Sequence, residues 1–143
     1  MKLCALIPLL WLLPVAAEAQ LVVSVPPVKV TGQKAVVKLG LKNELVETIE
    51  SARAVVFLLD AQGKMVAQTA QWIIGDGTKD RPSLAPEKET TYNIVLTTSN
   101  LTSTNLTAKV QINRLLLKDG KTADLKQSVR VQAVSDDSIK EKK

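Results

Sequence analysis

Apolar residues in this chain fall in short blocks and in alternation, not at helical spacing. The densest block is residues 54–59, AVVFLL, unbroken and rich in β-branched and aromatic types. That length and composition predict a buried strand rather than a helix. Asp60 and Gly63 then bracket a turn, and residues 65–74 resume a β-rich run. Glycine takes the left-handed backbone conformation that such a turn needs, so 54–74 is a predicted β-hairpin. In its second strand Val66, Ala70, Trp72 and Ile74 share one phase with Gln68, which predicts core packing for Trp72. Met65, Thr69 and Gln71 take the opposite face.

The first strand of the hairpin is apolar in both phases. Ala54, Val56 and Leu58 form one row, and Val55, Phe57 and Leu59 the other. A sandwich strand ordinarily turns one polar row to water. The second apolar row is therefore either covered by a loop or a surface for a partner, with Val56 and Leu58 as the candidate contacts.

Further strands follow from the same alternation. Residues 21–30 (LVVSVPPVKV) read as an edge strand, broken or switching sheets at Pro26 and Pro27, which donate no ladder hydrogen bond. Residues 34–42 place Val37, Leu39 and Leu41 inward and Lys38 and Lys42 outward, with Gly40 marking a bulge or a close neighbour. Residues 43–51 read as a loop anchored by Ile49. Residues 75–83, with two glycines and a proline, are the most loop-like segment. Tyr92, Ile94 and Leu96 alternate inward. In residues 108–117 the apolar phase slips near Arg114, which predicts a bulge. Asp119-Gly120 is a two-residue hairpin turn. Residues 128–134 form the last strand, with Val129, Val131 and Ala133 on one face.

About seven strands with regular turns predict an all-β, immunoglobulin-like antiparallel β-sandwich. The chain has 143 residues. Residues 1–19 read as a cleaved secretory signal, because Lys2 precedes an apolar run and Ala17-Glu18-Ala19 supplies the small-x-small cleavage site. Residues 20–135 are then a single domain and 136–143 a charged, flexible tail. The signal implies export, to the periplasm or beyond, with a bacterial cell envelope the best fit. No membrane anchor is expected after cleavage. The only cysteine, Cys4, leaves with the signal, so no disulfide is expected.

A resemblance can be placed on these residues. Asn43, Ile49, the strand ending Phe57-Leu58-Leu59-Asp60, Gly63-Lys64, Leu84-Ala85-Pro86 and Tyr92 together resemble the bacterial FxLYD-type domains. Leu59 stands at the motif's tyrosine, and Glu87 where a glycine often follows the proline. The resemblance covers residues 30–98. It implies an immunoglobulin-like module of an exported protein and no catalysis.

The net charge of +5 is carried by lysines spread along the strands and at the C-terminus. Such a distribution serves solubility more than nucleic-acid binding, and the aromatic platforms for single strands are missing. The chain has no histidine. Histidine bases, histidine triads and most zinc or copper sites are thereby removed. The aspartates fall mostly in turns, where they commonly bond the backbone. Asp76 and Asp80 are the one calcium-site candidate, diluted by Lys79 and Arg81. Asn100 and Asn105 begin N-x-T sequons in a polar loop. No catalytic residue, cofactor or metal ligand is assigned.

The leading expectation is a non-enzymatic exported module that binds another envelope or extracellular protein, with no nucleic acid involved. The alternative is a periplasmic small-ligand or carbohydrate binder using Trp72 and the 75–83 loop.

Overall fold

The computed structural model describes residues 19–75, 82–97 and 105–135. Eight strands build two sheets. β1 (Leu21–Val25), β2 (Lys29–Thr31), β3 (Lys34–Asn43), β6 (Glu89–Thr97) and β8 (Val129–Ala133) form the larger. β4 (Ile49–Leu59), β5 (Met65–Ile74) and β7 (Thr107–Leu117) form the smaller, in the order β5–β4–β7. The only α-helix among the described residues, α1 (Leu125–Ser128), is one turn long, and the Asp124 carboxylate caps it by accepting from the Lys126 N–H. The expected all-β sandwich is present.

β3 organises the larger sheet. β6 runs along one edge of it, and β1 and β2 share the other. The run over residues 21–30 is broken at Pro26-Pro27, one of the two outcomes expected there, and this gives eight strands among the described residues where about seven were expected. Both halves stay in one sheet. β1 is not an edge strand, because β8 pairs along its far side. That pairing is parallel, from Leu21 with Val129 to Val25 with Ala133. The last strand thus joins the first strand's sheet instead of extending the smaller sheet beside β7. Gly40 sits in a regular ladder between Ser24 and Thr91, with no bulge.

The core lies between the sheets. Val37, Leu39, Leu41, Ile94 and Leu96 face Ala54, Val56, Leu58, Ile112 and Leu115, all buried. Each fully buried Leu or Ile of this kind contributes roughly 1.5–3 kcal/mol by leaving water.

The bulge expected near Arg114 is present. Arg53 pairs with Arg114 but Ala54 pairs with Ile112, so Asn113 is the extra residue. It lets Ile112 and Leu115 both point inward. The Asp60–Gly63 turn also forms as expected. Gly63 has φ +81°, and the Asp60 carboxylate accepts from the Gln62 and Lys64 N–H groups at 2.9 Å each. Asp119 and Gly120 both have positive φ, as the hairpin turn requires. The returning arm is short, pairing only Thr122 with Leu116 before the chain turns into α1.

One buried polar residue ties the layers together. Asn43 is fully buried, and its side chain makes three hydrogen bonds. Nδ2 donates to the carbonyls of Glu47 and Leu84, and Oδ1 accepts from the Leu45 N–H. Its backbone pairs with Lys88 and Glu87. The loop is shorter than the 43–51 expected, covering residues 44–48, because Asn43 ends β3 and Ile49 already begins β4; Ile49, fully buried, bridges to Leu84.

Candidate functional site on the outer face of the three-stranded sheet

β4 runs between β5 and β7, so each of its side chains has a neighbour on either side. The row Ala54, Val56 and Leu58 is 0% exposed and forms the floor of the core. Val56 and Leu58 are therefore core residues, not a partner surface. The row that faces out is Val55, Phe57 and Leu59, each half-buried.

The neighbours of that outer row show that it meets solvent. Phe57 lies between Gln68 and Lys109, and Val55 between Ala70 and Gln111. All four neighbours are exposed. Their stems shield the apolar row along its flanks, as long polar side chains do. The face is a flat apolar stripe with polar margins, and Met65 is 52% exposed at its end.

Trp72 belongs to this face and not to the core. Two irregularities in the β4–β5 ladder account for the difference. Leu58 pairs with Ala67 but Leu59 with Met65, and Ala52 pairs with Ile74 but Arg53 with Trp72. Each shift changes the phase of β5 by one residue. The apolar residues at its ends, Ala67, Ile73 and Ile74, turn inward or pack against the core. Between them Thr69 and Gln71 point inward and Gln68, Ala70 and Trp72 outward. The Tyr92 hydroxyl spans the sandwich to donate to the side-chain Oε1 of Gln71 at 3.2 Å.

At the Trp72 end, three side chains stand in one row across the sheet. Trp72 pairs with Arg53 and Arg53 pairs with Arg114. The Arg114 guanidinium lies over the Trp72 ring, 6.0 Å from its centroid, at the limit of a cation–π contact. Residues 51–59, 65–72 and 107–114 contain no Asp or Glu. The ion pairs among the described residues lie elsewhere, Lys42 with Glu44 and Glu89, and Lys121 with Glu47.

A concavity of about 570 Å³ opens at the side of the sandwich, where β7 and β8 approach without pairing. Val25, Pro26, Leu59, Leu106 and Val131 line it, with Thr107 and Lys109 as its polar members. It lacks the converging polar groups that orient a small ligand.

Of the other residues singled out in the sequence, Asp76, Asp80 and Asn100 lie outside the described residues, as does most of the 75–83 loop. Asn105 is exposed just before β7. Among the described residues no cluster of three metal-ligating side chains occurs, and no helix is long and apolar enough to cross a membrane. The Arg53–Arg114 pair escaped the sequence reading, although the phase slip at Arg114 was its visible trace.

No family model matches the chain, and no curated protein matches it. Among solved structures it is similar to IrmA from Escherichia coli, at 16% identity over 79% of this chain and 92% of that chain, with a TM-score of 0.44. No conclusion rests on so distant a likeness.

Proposed function

We propose that the chain is a non-enzymatic exported module that binds another envelope or extracellular protein through the outer face of β5–β4–β7. The observation that carries this reading is the outward apolar row Val55, Phe57 and Leu59, open to solvent beside Trp72 and Met65. Aromatic residues, Met and Arg are the types enriched in protein interfaces, and Trp and Arg among their energetic anchors. Export rests on the signal-like residues 1–19, and the absence of catalysis on a sequence without histidine and with one cysteine in that leader. Arg114 over the Trp72 ring occupies a face on which a sugar would stack, which favours a protein ligand over a glycan.

The test is affinity capture from an envelope extract of the protein's own cells, with wild type and Phe57→Glu side by side. One protein recovered in fixed ratio by wild type and lost with a folded Phe57→Glu supports the reading. Equal recovery by both variants rejects this face as the contact.

A further inference from the structure

Arg53 and Arg114 are directly opposed across the β4–β7 ladder. Opposed residues of an antiparallel pair share a face with their Cβ atoms about 5 Å apart, and like charges so placed destabilise the sheet. The opposition is made by the bulge at Asn113. Without the extra residue Arg114 would fall out of phase with Arg53. Neither arginine side chain has an ion pair or hydrogen bond among the described residues, and residues 51–59, 65–72 and 107–114 contain no carboxylate, although β4 carries the exposed Glu50 at its start. A like-charge pair set by a bulge, with no ion-pair partner among the described residues, is a local rule broken in the fold, and such breaks mark sites of function.

We infer that Arg53 and Arg114 form a carboxylate clamp that receives acidic side chains of the protein partner, an inference that rests on the proposed binding role of this face. Arg114 lies over the Trp72 ring, and a guanidinium so stacked keeps its N–H edge available for a two-point bond to a carboxylate. Lys109, exposed beside Phe57, extends the positive margin along the apolar row. The matching ligand is an extended segment whose facing positions, every second residue, carry acidic and apolar side chains in turn. A second copy of this chain does not fit, because it brings the same three cations to the interface and a net charge of +5.

The experiment titrates the isotope-labelled protein with a (Glu-Ser-Leu-Ser)2 peptide, which in extended form turns its glutamates and leucines to one side, and follows backbone amide shifts by NMR. The (Lys-Ser-Leu-Ser)2 peptide and hexagalacturonate serve as comparison ligands. Saturable shifts centred on residues 53, 72 and 114 are expected with the acidic peptide and not with the basic one. The double variant Arg53→Gln/Arg114→Gln should weaken binding about tenfold or more, the scale of losing charge-assisted hydrogen bonds. Arg53→Lys/Arg114→Lys keeps the charge and loses the fork, and should also weaken it. The melting temperature of Arg53→Gln should not fall, since the substitution relieves repulsion. Absence of binding, equal binding by the glutamine variant, or a lowered melting temperature would overturn the clamp. Tighter binding of hexagalacturonate through the same arginines would overturn it too, by assigning the site to a glycan. If Phe57→Glu abolishes capture of the envelope protein while the glutamine variant retains it, the clamp fails and the protein-binding face stands. If the peptide binds through the arginines and Phe57→Glu leaves capture intact, the clamp stands and that reading fails.

Discussion

Asn43 and Leu84 are separated by 41 positions in the chain and joined by a 2.9 Å hydrogen bond from the Asn43 Nδ2 to the Leu84 carbonyl. The bond links the end of β3 to the turn that leads into β6. The same amide holds the Leu45–Glu47 loop. One buried side chain thus fixes two connections.

Replacing Asn43 with Ala leaves two carbonyls and one N–H without their partner. Unsatisfied buried polar groups cost roughly 1–3 kcal/mol each, less where water enters. Asn43→Ala should lose about 2–4 kcal/mol in urea unfolding. Asn43→Asp should also destabilise at neutral pH, because an ionised carboxylate cannot donate to the carbonyls of Glu47 and Leu84.

Gly75 follows β5 with φ +61°, and a Cβ built there would lie 1.6 Å from the Glu50 carbonyl oxygen. The backbone itself blocks any side chain. Gly75→Ala should cost more than about 2 kcal/mol, whereas Gly63→Ala, with open space and positive φ, should cost about 1. Thermal unfolding of the two variants compares them directly.

Glu87 is the reverse case. It has φ +66° after Pro86, with Lys88 N–H bonded to the Ala85 carbonyl at 3.2 Å. These are the marks of a type II turn, whose third position favours glycine. Glu87→Gly should raise stability by about 0.5–1 kcal/mol, the relief of left-handed strain less the added freedom of the unfolded chain. An unchanged or lowered denaturation midpoint would show that the strain is not there.

The two rows of β4 should answer differently to substitution. Leu58→Ala opens a cavity in the core and should cost about 2–4 kcal/mol. Val55→Thr, on the outer face, should stay within about 0.5 kcal/mol. Urea midpoints for the pair distinguish the inner row from the outer one.

Alternation made most strands legible in the sequence. Turn chemistry at Gly63 and Asp119-Gly120, and the phase slip at Arg114, located the hairpins and a bulge. The direction of β4 was harder to see, because six consecutive apolar residues define a period but not a phase. Arg53 held the answer. It shares the phase of Val55, Phe57 and Leu59, and a charge in that phase turns the row to water. Trp72 was misplaced because two ladder shifts, invisible without the partner strand, invert β5 between apolar ends. Of the arginine pair only the phase slip at Arg114 was legible, since opposition across a ladder depends on register, and a bulge sets the register here.

The parallel pairing of β1 with β8 also governs when the protein can fold. The Gln132 side chain reaches Ser24 across 108 positions of chain. Until β8 arrives, the first strand has only one neighbour, and one flank of the larger sheet stays open. Contacts of such long reach must close a large loop before they contribute, which slows folding. The last described strand is thereby the piece that completes the sheet begun by the first.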